Sequence, residues 1–577
     1  MRQCLLLASG FSAASASTLA SICSTSNIQN SLPSSSDIDG LIFRDVTAQA
    51  VYNSSVEAGN NYPAATGRNF CNVTAAYKHA GKDDAINVWY YFPDPAQYQG
   101  RFLATGGGGF AINSGASGLE GGLVYGAVAG CTDGGMGWGG QLNDVVLKAN
   151  GSLDYDIINN FGYLSIHEMT EIGKTMSKNI YNSSKLYSYY QGCSEGGRDG
   201  WSQVQRYSDQ FDGAVVGAPA FRQSHQQPNH DWPQIYEQSI SYAPNSCALE
   251  KIVNETVNAC DALDGKVDGV VARSDLCKLN WHPENVIGKS YACAASTAFN
   301  PITGGAGATT PAANGTVNAN DVAVFLAVQN GPYDSKNRHL YVGFQPGTDT
   351  SSNAAGTYSN KTGSYEIAAI TDIGAEWITE LLQEVNSTSL SLDGVTVDTL
   401  RGWMIEGMQK YAGTLNTVWT DLQEFSEAGG KIIHYHGEAD NSIPTLSSVI
   451  YQEQVRRVMY PDLSYEDSLE KLHEFYRLYI VPGAAHCSPS AENGPFPQTV
   501  LGSMIEWVEN EVVPVQLNAT VLQGPEEGNA EKICTFPYRP MWSGNTTEHK
   551  CVMPEKDALD TWFPVLDSIP LNSYGNA

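Results

Sequence analysis

At 577 residues the chain exceeds what one compact core holds, so it reads as one large domain with an insertion or as two domains. Lys and Arg number 32 against 61 Asp and Glu, a net charge of −29 that repels phosphate backbones and anionic bilayers and argues against nucleic-acid and membrane partners. No apolar run reaches the length of a membrane span, which predicts a soluble protein.

The chain opens "MRQCLLLASGFSAASASTLA": a basic residue, a short apolar stretch, then small residues with Ala14-Ser15-Ala16 as a cleavage site. This pattern predicts a secretory signal peptide over about residues 1–20. Asn-x-Ser/Thr sequons at Asn53, Asn72, Asn150, Asn182, Asn254, Asn314, Asn360, Asn386, Asn518 and Asn545 predict an extracellular glycoprotein. Twelve cysteines fit the same oxidising compartment. Loss of Cys4 with the signal leaves an odd number, and Cys131, in the small-residue run "AVAGCTDGG", is the candidate without a partner.

"NVWYYFPDP" and "RFLATGGGGF" are strand-like runs that end in turn residues. The second feeds the glycine loop Gly106 to Gly109. A dinucleotide-binding reading of this loop is weak, because no clean G-x-G-x-x-G with a placed acidic residue follows. "SIHEMTEIG" carries His167-Glu168 but no second histidine four residues on, which excludes a zinc-protease helix. "KLYSYYQ" is a strand that runs into "GCSEGGRDGW", and "RDGWSQVQRYSDQF" has helical spacing with Trp201, Val204 and Tyr207 at steps of three. "DGAVVGAPA" reads as a buried strand, completing the strand–helix–strand unit of a parallel sheet.

Residues 223–398 depart from this rhythm and are expected to form an inserted lid. They hold four cysteines and a poorly periodic Gly/Ala/Thr/Asn stretch near 300–320. "HDWPQIYEQ" opens the lid, and its Trp232 and Tyr236 either face an aromatic substrate or pack inside the lid. "CDALDGKVDGVV" interleaves Asp261, Asp264 and Asp268 with glycines. By itself this suits a hard cation and a solvated acidic turn equally.

Helical periodicity returns at 399–428, and "KIIHYHG" and "FYRLYIVPG" follow as strands separated by the helix "TLSSVIYQEQVRRVMY". The sheet domain is therefore split into 21–222 and 399–577. Gly192-Cys193-Ser194-Glu195-Gly196 fits G-x-S-x-G between a strand and a helix, the context that presents a serine nucleophile. Such a serine needs a base, and the base needs an orienting acid. Asp440 and His486 follow the two late strands in the required order. The backbone N–H of Glu195 is one expected oxyanion donor, and Gly109, with Gly108 next, is the other. His434 and His436 alternate on the first of those strands; either could line the site, with structural packing favoured for His434. Cys193 precedes the serine and Cys487 follows the histidine, so a Cys193–Cys487 bond would bring Ser194 and His486 together.

A Cys-Ser paired with a His-Cys, with "GGGGFAINSGAS" and "CDALDGKVDGVVARSDLCKL", resembles the tannase and feruloyl esterase family of secreted α/β-hydrolases. The resemblance implies an α/β-hydrolase fold, a mostly parallel sheet with helices on both faces and an inserted lid. It implies Ser194 as nucleophile, His486 as general base and acid, Asp440 as the orienting carboxylate, and the Cys193–Cys487 bond. It implies a structural calcium in the lid, held by the side chains of Asp261, Asp264 and Asp268 and the carbonyls of Lys266 and Val270. The Lys266 ammonium would then be free to point to solvent. It further implies Cys23–Cys71, Cys260–Cys277 and Cys534–Cys551, which leaves Cys247 and Cys293 for each other. The implied substrate is a phenolic ester, galloyl first and hydroxycinnamoyl as the alternative, with lid residues setting that choice. No redox or organic cofactor is expected. An inactive binding homologue is the reading from another class, and the complete Ser–Asp–His set argues against it.

Overall fold

A computed structural model describes residues 18–34, 37–300, 305–490, 493–543 and 548–564. The expected signal peptide, Cys4 and Asn545 lie wholly or largely outside them. Leu19 and Ile22 fall inside the expected leader boundary or beside it, yet both are buried in the main core, in the short helix Leu19–Ile22.

Among the described residues nine strands form the central sheet: β1 (Leu41–Val56), β2 (Ala65–His79), β3 (Ile86–Pro93), β4 (Arg101–Thr105), β5 (Ala127–Thr132), β6 (Tyr187–Cys193), β7 (Gly213–Gly217), β8 (Lys431–Gly437) and β9 (Tyr476–Val481). Their order is β1-β2-β3-β5-β4-β6-β7-β8-β9. β5 through β9 pair in parallel, and β1 to β3 add an antiparallel wing on the β5 edge. The long β1–β2 hairpin has small and polar residues alternating on its outer face, so its strand character was not read from the sequence.

The parallel strands are apolar on both faces, as a sheet covered twice requires. Phe102, Tyr190, Val216 and Ile432 enter one core, while Leu103, Tyr189, Val215 and Ile433, one residue along in each strand, enter the other. Helices flank this sheet, among them α1 (Gly115–Val124), α2 (Ser165–Tyr181) and α3 (Glu195–Arg206). His167 of α2 stacks on Tyr207 at 3.7 Å and bonds Gln210, a packing role rather than a metal ligand's.

The insertion leaves the sheet after β7 and returns at β8. It has its own apolar cluster around Leu249, Val322, Phe325 and Phe344. The boundary expected at 398/399 falls inside helix α5 (Val397–Tyr411), which packs against α4 (Gln223–His230). Leu400, Met404 and Tyr411 of α5 also join the main core, so the insert's two ends are welded to the sheet domain rather than hinged on it.

All five expected disulfides are present: Cys23–Cys71, Cys193–Cys487, Cys247–Cys293, Cys260–Cys277 and Cys534–Cys551. Cys131 is free and fully buried. Of the nine sequons among the described residues, only Asn72 is not exposed.

Candidate active site

Ser194 sits at the turn from β6 into α3 with φ 65° and ψ −122°, a strained conformation for a side-chain-bearing residue. The turn closes tightly because its glycines lack side chains. A Cβ on Gly192 would stand 2.6 Å from the Gly196 carbonyl, and one on Gly196 2.8 Å from the Gly107 carbonyl.

The loop after β9 brings His486 to this turn, and its Nε2 lies 2.9 Å from Ser194 Oγ. Its Nδ1 lies 2.8 Å from Asp440 Oδ2, in the loop after β8. An ionised carboxylate only accepts, so Nδ1 carries the proton and Nε2 is left to accept from the serine hydroxyl. Asp440 Oδ1 accepts the amides of Ser442 and Ile443, both at 2.8 Å. Burial by itself would raise the Asp440 pKa. The charge of His486 and hydrogen bonds from His436 and His486 outweigh it and hold the carboxyl well below its ordinary range. Burial would likewise lower the His486 pKa, but the charge and hydrogen bond of Asp440 leave it raised.

His436 stands 3.2 Å from Asp440 Oδ2 through Nε2, and its Nδ1 meets Ser448 Oγ at 2.6 Å. It therefore braces the acid without lining the cavity. His434 is core, bonded to Tyr476. Cys193 and Cys487 stand 6.0 Å apart between Cα atoms and tie the serine turn to the histidine loop.

The backbone amides of Glu195 and Gly109, the latter at φ 63°, donate to no group among the described residues. The Gly108 amide donates to the Ala111 carbonyl at 2.9 Å, so the second-choice oxyanion donor is committed elsewhere. The Gly107 carbonyl accepts the Gly196 amide at 2.9 Å. Arg198 holds Asp199 at 2.6 Å and Glu195 at 2.6 Å, and Gln223 completes the Glu195 pairing at 2.6 Å. This fully buried network locks the glycine loop to the first turn of α3. Sequence reading passed over it, although Glu195, Arg198 and Asp199 at steps of three and one were its visible trace.

Ser194, His486 and the glycine loop open onto a cavity of about 490 Å³. Trp232 and Tyr236 do not line it; they pack on each other inside the lid, with the Trp232 indole donating to the Ala327 carbonyl.

The acidic loop suits a hard dication by its donor set. Asp261 and Asp264 are buried, and burial with neighbouring Asp268 and Asp261 pushes the Asp264 carboxyl up to about 7. The carbonyls of Lys266 and Val270 accept no hydrogen bond among the described residues. The Lys266 ammonium is not in solvent: it pairs with Asp268 at 2.9 Å, Glu531 at 3.0 Å and Glu526 at 3.1 Å over the Trp542 ring. The excess of acids draws it inward. Cys534, His549 and Cys551 also converge, but the two sulfurs are bonded to each other and unavailable as thiolate ligands.

A family model described as tannase and feruloyl esterase matches residues 71–555. The chain is 43% identical to a protein named tannase from Aspergillus oryzae, over 95% of this chain and 95% of that one. It is 30% identical to a probable feruloyl esterase from Arthroderma benhamiae, over 82% and 83% of the two chains. Among solved structures it superposes on tannin acyl hydrolase from Aspergillus niger with a TM-score of 0.90 and 48% identity, covering 96% of this chain and 99% of that one. Feruloyl esterase B from Aspergillus oryzae shares the fold, with a TM-score of 0.69 at 24% identity over 91% of this chain and all of the other.

Proposed function

The chain belongs to the tannase and feruloyl esterase family, which makes it a carboxylic ester hydrolase, and on that premise we propose that it is a secreted serine esterase cleaving galloyl ester and depside bonds of hydrolysable tannins. The observation that carries this reading is the continuous relay from Ser194 Oγ through His486 to Asp440, beside two unpartnered amides. The sequons and disulfides support secretion.

In this mechanism Ser194 Oγ attacks the ester carbonyl as His486 Nε2 takes its proton. The Gly109 and Glu195 amides stabilise the oxyanion. Collapse expels the alcohol, which receives the proton from His486. Water then attacks the acyl-enzyme through the same base, releasing gallic acid and restoring the serine. Asp440, braced by His436 and two amides, keeps the imidazole in the required tautomer and stabilises its charged form. Calcium would be held by Asp261, Asp264, Asp268 and the Lys266 and Val270 carbonyls, where it would supply structural cross-linking and neutralise crowded acids.

Feruloyl esters are the second reading, supported by the relative named a probable feruloyl esterase at 30% identity. Purified protein incubated with methyl gallate, methyl ferulate and p-nitrophenyl acetate tests both, with the released acids separated by chromatography. Gallic acid released faster than ferulic acid is the expected result. Preference for ferulate would replace the first reading with the second, and no turnover of any ester would sink both.

A further inference from the structure

Near its C-terminal end the chain builds a small antiparallel sheet that contains β10 (Gln516–Val521) and β11 (Ala530–Cys534). Leu517, Ala519 and Val521 of β10 are buried, so Gln516, Asn518 and Thr520 stand on its outward face. Asn518-Ala519-Thr520 is one of the sequons, and its asparagine is exposed. All three of its residues line a cavity of about 330 Å³ that shares no residue with the one beside Ser194. The rest of the lining includes Trp542, with His549 set edge-on to its ring at 5.1 Å, and Glu531 beside Lys532 on β11. No other sequon asparagine lines this cavity. Trp542 also joins this sheet to the insert. Its amide donates to the Asp264 carbonyl at 2.7 Å, and the Lys266 ammonium lies over its ring at 4.9 Å while pairing with Glu531 at 3.0 Å.

We propose, resting on the secretion read above, that an N-linked glycan on Asn518 folds back into this cavity, sets its first N-acetylglucosamine against Trp542, and caps the joint between the insert and the C-terminal sheet. The occupant follows from its point of attachment. A sugar joined to Asn518 Nδ2 starts at the cavity wall, and a short tether holds it there at an effective concentration on the order of millimolar. A contact too weak to retain a free sugar is then populated. The chemistry of the lining agrees. A pyranose offers a face of C–H groups to the negative face of an aromatic ring, and it carries hydroxyls and an acetamide around its edge. Glu531 and Lys532 present an acceptor and a donor for that edge. The seated sugar also takes the place of water over the Trp542 ring, on which the Lys266–Glu531 pair rests.

The test uses the full chain expressed with its own leader in a yeast host, which leaves high-mannose glycans. The folded protein is digested with an endoglycosidase that cuts between the first two N-acetylglucosamines, and each sequon peptide is followed by mass spectrometry. Release at Asn518 is expected to be about tenfold slower than at the other occupied sequons, and equal to them once the protein is denatured. Trp542→Ser should bring Asn518 to the rate of the other sites, and Trp542→Phe, which keeps an aromatic wall, should preserve the protection. Esterase turnover reports that each variant is folded, and where Trp542→Ser fails to fold the wild-type comparison decides alone. Thr520→Val destroys the sequon without touching Asn518 and should lower the melting temperature by about 2 °C, while Thr520→Ser, which keeps the sequon, should not. Release at Asn518 as fast as elsewhere, or an unmodified Asn518 in protein glycosylated at other sites, overturns the placement and leaves the secretion reading intact. A chain that carries no glycan at any site overturns the secretion reading, and the placement with it.

Discussion

Cys193 stands immediately before Ser194, and Cys260 stands immediately before Asp261. In both places a disulfide begins next to a residue of a proposed site. The first closes 294 residues and joins two loops of the sheet. The second closes 17 residues within the lid. In the chain-entropy description the longer bond stabilises more, on the order of 6 against 3 kcal/mol, only about twofold for a far longer loop because length enters as a logarithm. What distinguishes them is reach. The long bond fixes the relative position of two groups that must meet within 2.9 Å. The short bond stiffens an acidic loop whose carboxylates crowd one another whatever the rest of the chain does. The catalytic end of the molecule uses its bond for geometry and the lid uses its bond for local stability.

The contrast breaks first at the serine. Ser194→Ala should fold and be secreted normally yet lose turnover by about 10⁴-fold or more on a gallate ester, because the nucleophile alone is removed. Near-wild-type activity would end the mechanism. Next comes the long bond. Cys193→Ala with Cys487→Ala leaves every relay side chain in place, and a displacement of about 1 Å at a catalytic group costs on the order of 100-fold in rate. Non-reducing peptide maps and steady-state kinetics of the double variant decide this: wild-type turnover would mean that the sheet positions His486 unaided.

The opposite result is expected in the lid. Chelator treatment, or Asp264→Ala, should lower the melting temperature by several degrees while kcat well below that temperature stays put. Metal analysis that finds no calcium, or a loss of kcat without a loss of stability, would erase the distinction between the two regions.

The smallest effect lies away from both bonds. His79 meets Glu168 at 2.7 Å and also pairs with Asp84, and the Glu168 hydrogen bond is the main cause that raises its pKa to about 9. A raised histidine stabilises the fold fully below its ordinary value of about 6.5 and loses that contribution as pH rises through the folded value. Melting temperature should therefore fall modestly between pH 6.5 and 9, and His79→Gln should flatten that slope.

The parts that the sequence revealed best share a cause. Ser194, Asp440 and His486 each follow a buried apolar strand, and such strands announce themselves by composition. The disulfide at the relay was legible because its cysteines adjoin Ser194 and His486. The tip of the β1–β2 hairpin left no such mark: Asn60 and Asn61 are turn residues whose partners, Cys487, Tyr435 and Gln191, lie between 130 and 427 positions away, and nothing local encodes that contact. The Lys266 pairing was misjudged for a related reason, since Glu526 and Glu531 reach it from a distant part of the chain. His436 was seen as an alternating residue of β8, but its role required knowing where the loop to Asp440 folds back.

The insertion between β7 and β8 has a consequence in time. About 200 residues must be synthesised after β7 before its second hydrogen-bonding partner exists, an interval of roughly 10–40 s at the pace of translation. Through that interval β7 presents a bare edge of unpaired N–H and C=O groups, a template for wrong pairing with another chain. The lid, with its own apolar cluster and two internal disulfides, is able to condense while the sheet waits. Ser194 is thus made early and reaches its partner late, when the loop bearing His486 arrives and the last long bond closes.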